Sequence, residues 1–483
     1  MLTKAGLLAA NRAIYLPAIS ANYADFARNG AFKRPLVGLV PGDLDFLRPG
    51  SRYFSYPFAL YSAGQVIRTE AMQPKACMVT QRDRSQTILL GDSGGFQVSR
   101  GTIEFENVTT ARRVLKWMEG FADWSMVLDF PTGGIAPGFV KPHVERLVAE
   151  GHDLDAMCKT NGQSLDFNAC LLQTKINNDQ FLAERTTGAT GLLNVLQGRN
   201  EAESKAWYEA VKHYPFEGIA FAGAHQNNFS LLLRRLVDLH RDGLLKRCGW
   251  VHVLGVSTLD IGCLLTKMQR CVREYWGYSD FQISFDSASP FINAAKNGMI
   301  VGQTLDAYGW TVRSANIATI SDADISLSVN DFCSSKLGRK NDRLGREMIP
   351  ACSEIGGILH MADLCVGKAK IAGQRDRSSL DNDSSYLLMH HNVQAFVAAH
   401  AQAHDIFFGP ESYRVPLDTM NIAGIIDVMF KGVPIPNAQG GIDYVPLADP
   451  IKHLDQCEIW LDRLAAQRSR AAAGNDEEAR YAA

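Results

Sequence analysis

Along the chain, short runs of consecutive apolar residues alternate with longer stretches in which apolar residues return every three or four positions. TILLGDSGG ends its run at Asp92, SMVLDFPTGG at Asp129, LLNVLQG at Gln197, GIAFAGA at Gly223, VHVLGVS at Gly255 and FQISFDSAS at Asp286. Two earlier stretches, PLVGLVPGD and ACMVT, read the same way. TTARRVLKWMEGF, EAESKAWYEAVKH, SLLLRRLVDLH and LDIGCLLTKMQRCVREYW lie between such runs and carry helical periodicity. Strands that are apolar throughout and separated by helices predict a parallel sheet covered on both faces. About eight such units predict an α/β fold of the (β/α)8 TIM barrel type, with insertions and an irregular C-terminal extension. A doubly wound open sheet is the alternative that periodicity leaves open, although no G-x-G-x-x-G or Walker loop recommends it.

Residues 1–320 are read as the barrel core, with an insertion at about 135–188 where the spacing exceeds one helix and a loop. Residues 321–464 are read as an irregular, basic region and then a helical part, around SYLLMHHNVQAFVAAHAQAH, that could complete the barrel. Within it, 411–448 is rich in Gly and Pro and reads as loop and short elements. Residues 465–483, small and charged, read as a disordered tail.

Composition narrows the field. With 49 basic and 51 acidic side chains, the net charge of −2 excludes a global field that attracts nucleic acid, so any such contact needs a local basic cluster. Lys336, Arg339, Lys340 and Arg343 begin one, continued by Arg346, Lys368, Lys370, Arg375 and Arg377. They form either a solvated loop surface or a phosphate-binding face. The ten cysteines follow no even framework and the N-terminus has no signal-like apolar core, which predicts a reducing, cytoplasmic setting. No run of eighteen apolar residues occurs, so no membrane span is expected.

GDSGG, residues 91–95, also surrounds the nucleophilic serine of trypsin-like proteases, but those enzymes place their His base before the serine. Here all twelve histidines follow Ser93, the first being His143, and Phe96 stands where those proteases carry proline. The chemistry-bearing set is instead Asp92, Asp129 and Asp286 with the amide of Gln197, each at a strand end. Any one of them taken alone could equally be a helix cap or loop hydrogen-bonder. Four at one rim suit substitution at a sugar carbon, in which one carboxylate attacks the anomeric carbon and a second carboxyl group handles protons.

DSGGFQV, from Asp92 to Val98, resembles the signature of the tRNA-guanine transglycosylase superfamily, whose members exchange a guanine in a polynucleotide for a 7-deazaguanine base. VLDFP, NVLQG, FAGA, LGVS and FDSASPFINAAKNG resemble its further motifs, in the family's order, and the likeness covers roughly residues 35 to 310. The resemblance implies that Asp286 is the nucleophile at C1′ and that Asp92 assists proton handling. It implies that Phe96 stacks on the base while Asp129, Gln197 and the backbone at Gly223 bond its edge, with Ser93 close by. On this reading the glycines of GDSGGF let backbone approach a flat base.

Departures from the family pattern shape the rest. The family's zinc spacing is absent, leaving Cys333, Cys352 and Cys365 ahead of His390 and His391, so no cofactor is expected and zinc is the less favoured alternative. Phe291, Ile292 and Asn293 replace the T-R-N of the nucleophile loop, and Ala222-Gly223 replaces a glycine pair. The resemblance is therefore placed in the divergent branch of 7-deazaguanine DNA transglycosylases. DNA and a 7-deazaguanine base such as preQ0 are the expected partners, along with helper proteins that open the duplex. A tRNA enzyme is the alternative, and a non-catalytic homologous subunit a third reading.

Overall fold

Eight short strands, nearly all of whose residues are buried, lie parallel in one sheet: β1 (Ile14–Pro17), β2 (Phe58–Ser62), β3 (Ile88–Asp92), β4 (Trp124–Met126), β5 (Gly191–Leu196), β6 (Gly218–Phe221), β7 (Trp250–Val253) and β8 (Gln282–Ser287). The computed structural model describes residues 3–464 apart from 37, 67–74, 100, 102, 133–139, 158–162, 322, 336–347 and 372–373. Parallel ladders run in the order β1-β8-β7-β6-β5-β4-β3-β2. The two end strands meet through a bridge between Ala18 and Leu60, where the Ile19 N–H donates to the Leu60 carbonyl at 3.0 Å. Side chains add to this seam: the Tyr56 hydroxyl donates to the Tyr15 carbonyl at 2.7 Å and the Gln65 amide to the Ile19 carbonyl at 3.0 Å. The result is a nearly closed (β/α)8 barrel with insertions.

Helices alternate with the strands. In chain order the first ten are α1 (Lys4–Ala9), α2 (Ala21–Asn29), α3 (Gly95–Ser99), α4 (Val108–Phe121), α5 (Lys141–Ala149), α6 (Leu165–Glu184), α7 (Glu201–Val211), α8 (Phe229–Arg241), α9 (Leu259–Tyr275) and α10 (Ser289–Ala295). Asn200 and Asn228 cap α7 and α8 by accepting the N–H of Glu203 and Leu231. After α10 the chain forms an antiparallel hairpin, Gly298–Asp306 with Gly309–Asn316. The 27-residue helix Asn382–Phe408 then packs on α9, α10, β1 and that hairpin, outside the junction of β8 and β1. Its Asn392 accepts from the Ile300 N–H at 2.8 Å and donates to the carbonyls of Gly298 and Pro290.

Two of the expected strands are not strands. In PLVGLVPGD, Pro35 and Pro41 cannot donate to a ladder, Gly38 is left-handed at φ 74°, and Pro41–Leu44 is a 3-10 turn in which the Asp43 carboxylate accepts from the Val40 N–H. ACMVT folds as a turn in which the Thr80 hydroxyl accepts from the Cys77 N–H at 2.9 Å. Their places are taken by IYLP and FALYS, strands of four and five residues, too short to show a period. Between 411 and 448, expected as loop and short elements, Leu417–Lys431 is a helix that buries Ile422, Ile425, Ile426 and Met429. It packs on α9, to which Lys267–Asp427 joins it at 2.7 Å, and it tolerates Gly424 in its interior.

Within the long excursion between β4 and β5, α6 packs on α4 and α7 as the crossover helix of its unit, and α5 is the added helix. The tail 465–483 lies outside the described residues. No helix among the described residues is long and apolar enough to cross a membrane.

Candidate active site

The C-terminal ends of the strands form one rim, the end of a barrel at which loops gather chemistry. Asp92 is the last residue of β3 and Asp286 the fifth of the six in β8. Gln197 follows β5 directly, Asp129 lies three residues past β4, and Gly223 lies two past β6. A cleft of about 750 Å³ opens here, lined among others by Asp92, Asp286, Phe96, Ile292 and Tyr386.

Asp286 has two hydrogen-bond partners on a single oxygen. The Gly255 N–H reaches Oδ1 at 2.9 Å, from a turn whose left-handed φ of 66° suits glycine, and His252 Nε2 lies 3.2 Å from the same atom. Behind it, His252 Nδ1 is 2.9 Å from Ser284 Oγ, which accepts from Trp250 Nε1–H at 2.6 Å. His252 and Ser284 are partners in the β7–β8 register, and both are fully buried. Side chains two apart on a strand share a face, so Ser284 and Asp286 point together toward the barrel interior.

Burial pushes the carboxyl groups of both Asp92 and Asp129 upward. Burial raises the Asp92 carboxyl above the usual carboxylate range, and the charge of Asp286 adds to the effect while the Gly94 N–H opposes it. Burial takes Asp129 up to about 7; its hydrogen bond from Gln197 pulls down and the charge of Asp92 pushes up. Gln197 Nε2 donates to Asp129 Oδ2 at 2.6 Å, while the amide oxygen of Gln197 is buried with no hydrogen-bond partner among the described residues. Helix α6 clamps the Asp129 loop from both sides, Thr174 Oγ1 accepting from the Phe130 N–H at 2.8 Å and Asn177 donating to the Leu128 carbonyl at 2.9 Å. Gly223, at φ 59°, packs so tightly that a Cβ would sit 2.6 Å from Gln197 Oε1 and 2.9 Å from the Gly198 carbonyl oxygen.

The residues singled out in the sequence thus fall into two groups. Asp92, Asp286 and Phe96 line the open cleft, with Phe96 59% exposed on α3. Asp129, Gln197 and Gly223 meet one another in a closed arrangement beneath Gly95, where the two side chains are buried. Ser93 is buried. The glycines of GDSGG have a second reason to be glycines: a Cβ on Gly94 would meet the Gly64 Cα at 2.7 Å, and one on Gly95 the Asp129 carbonyl oxygen at 2.7 Å. Lys336, Arg339, Lys340 and Arg343 lie outside the described residues. Sequence reasoning missed His252, Ser284 and Trp250; the available signal was polar residues inside otherwise apolar strands, VHVL and QISFD.

The residues of the resemblance's zinc site do not fit a zinc ion. Both ring nitrogens of His391 are engaged, Nδ1 with Ser353 Oγ at 2.7 Å and Nε2 with the Ile300 carbonyl at 2.8 Å. His390 Nδ1 pairs with the Tyr23 hydroxyl at 2.9 Å, and Cys365 Sγ faces the Ile317 carbonyl. Among the described residues no group of three or more His, Cys, Asp or Glu side chains could hold a metal ion. Comparison with protein-family models returns no match to this chain, and comparison with curated proteins returns none either.

Proposed function

We propose that this protein is a base-exchange transglycosylase that replaces a guanine in DNA with a 7-deazaguanine base through a covalent Asp286–sugar intermediate. The observation that carries the reading is the pair of carboxyl groups, Asp92 and Asp286, that line one cleft at the C-terminal rim. Asp286 has two hydrogen-bond partners on Oδ1, which leaves Oδ2 for attack, while burial raises the Asp92 carboxyl, the direction a proton donor needs. One anionic nucleophile beside one neutral acid is what substitution at an anomeric carbon requires.

In this mechanism Asp286 Oδ2 forms a bond to C1′ as the C1′–N9 bond breaks and its electron pair leaves with guanine. Asp92 supplies the proton that the departing base takes up. The incoming base then gives its N9 proton to Asp92, its nitrogen attacks C1′, and the ester bond to Asp286 breaks, returning both carboxyl groups to their starting states. Asp129 and Gln197, closed on each other beneath Gly95, would have to part from that arrangement to read the base edge, where a carboxyl group and an amide together match a face that offers both donors and acceptors. Phe96 offers an exposed ring for stacking. A nucleotide inside a duplex cannot reach such a rim, so the target is flipped out or single-stranded.

The test is exchange of labelled guanine or a 7-deazaguanine base into DNA and, separately, into tRNA, with helper proteins that open duplexes added in parallel. Expected are exchange into DNA and an adduct between protein and DNA that survives a denaturing gel, both lost in Asp286→Ala. Exchange confined to tRNA would replace the DNA assignment, and near-wild-type exchange by Asp286→Ala would remove the nucleophile.

A further inference from the structure

Three buried side chains behind Asp286 form a line that ends on its carboxylate. Trp250 can only donate, so Ser284 Oγ must accept from it at 2.6 Å. That leaves the Ser284 hydroxyl proton free to point at His252 Nδ1, 2.9 Å away. Nδ1 is then the accepting nitrogen, and the ring proton resides on Nε2, which faces Asp286 Oδ1 at 3.2 Å. The opposite tautomer would set a bare Nε2 lone pair against a carboxylate oxygen. The same oxygen also receives the Gly255 N–H at 2.9 Å, and no described residue donates to Oδ2.

We propose that Trp250, Ser284 and His252 act as a tautomer-fixing relay that locks Asp286, so that Oδ1 is occupied by two fixed donors and Oδ2 is the attacking oxygen. His252 is a positioning residue: it touches Asp286, is fully buried and does not line the cleft. The role of Asp286 as nucleophile rests on the proposed function; the tautomer and the lock do not. When the ester forms, Oδ2 carries the bond to carbon and Oδ1 becomes its carbonyl oxygen, still accepting the same two N–H groups. The rotamer therefore does not have to change during the reaction, which is the advantage of preorganised donors over solvent. A lone buried histidine is more often only a satisfied core group; here the line of donors on one atom of a rim carboxylate sets it apart.

Two measurements test this, one of them independent of any activity. In ¹⁵N-histidine-labelled protein, the ring signals missing from His252→Gln identify His252, and their shifts should report a proton on Nε2 and none on Nδ1. A proton on Nδ1 with a bare Nε2 would overturn the relay even if the protein proves not to exchange bases. In the exchange assay, His252→Leu should slow adduct formation roughly 10- to 100-fold, as expected for loss of one hydrogen bond to a charged group, with little change in KM. His252→Gln, whose amide N–H reaches toward the same oxygen, should recover most of that loss. Equal losses in the Leu and Gln variants, with both still folded by thermal melting, would reduce His252 to a core residue. If the wild type exchanges no base while the ring shifts are as expected, the transglycosylase reading falls and the relay stands.

Discussion

Replacing Asp129 by asparagine should make the protein more stable, and only at neutral and alkaline pH. In the fold this carboxyl is held at about 7 by burial, against 3.8 for the free side chain. A carboxyl whose folded value is the higher one contributes its full stability below 3.8 and loses it as pH rises toward the folded value. At 1.36 kcal/mol for each tenfold change, the loss reaches about 4 kcal/mol above pH 7. The substituted amide would keep an acceptor for the Gln197 amide, now at 2.6 Å from the carboxylate, and would carry no charge to desolvate. For a chain of 483 residues the melting entropy is about 1 kcal/mol per degree, so 4 kcal/mol corresponds to a shift of about 4 °C. The assay is a set of thermal melts of wild type and Asp129→Asn from pH 4 to pH 8.5. The curves should coincide near pH 4, diverge through the window up to about 7 and run parallel above it. A gain of the same size at pH 4 and pH 8.5, or none at either, would show that the ionised carboxylate is not the strained species.

Other consequences follow from the same geometry. Gln197→Ala should blur discrimination between bases by about 1 to 3 kcal/mol, while Phe96→Ala weakens binding of every base alike; competition between guanine and its analogues measures both, and equal loss of discrimination would refute the division of roles. Gly223→Ala should cost roughly 1 to 3 kcal/mol, since alanine at φ 59° is strained and its Cβ meets Gln197 and Gly198; an unchanged melting temperature would mean that the β6 loop yields freely. Metal analysis should find well under one zinc per chain, because His391 already has partners on both nitrogens; stoichiometric zinc lost in His391→Ala would overturn this.

The fold was legible because parallel strands buried on both faces leave continuous apolar runs, and six of these, from β3 to β8, lie in strands that end within three residues of the marked rim residues. The first two strands were not, since IYLP and FALYS are short while PLVGLVPGD looks more strand-like than its prolines allow. Helix α6 hid for a different reason: Asn168, Gln173, Thr174, Asn177 and Asn178 are polar yet buried, which breaks the amphipathic stripe. In part those polar groups hold the Asp129 loop, so the demands of the site erased the signal of the helix. Asp92 and Asp286 could be read as rim residues because they close apolar runs. The line from Trp250 to His252 could not, because its members meet only across the β7–β8 register.

Going around the barrel from β8 to β3, the order is β8, β1, β2, β3, and the weakly joined pair stands in the middle. Asp286 therefore belongs to one side of a slit and Asp92 to the other, with Ala18, Ile19, Leu60 and Gln65 on the cleft wall between them. Elsewhere, moving two neighbouring strands apart would rupture a ladder. At this slit, among the described residues, it would break a single isolated bridge, Ala18 with Leu60, and the side-chain stitches of Tyr56 and Gln65. The two carboxyl groups thus flank the seam at which the barrel's backbone pairing is sparsest. Across this seam the charge of Asp286 helps to raise the Asp92 carboxyl, so the two groups speak to each other electrostatically where their strands are joined most sparingly.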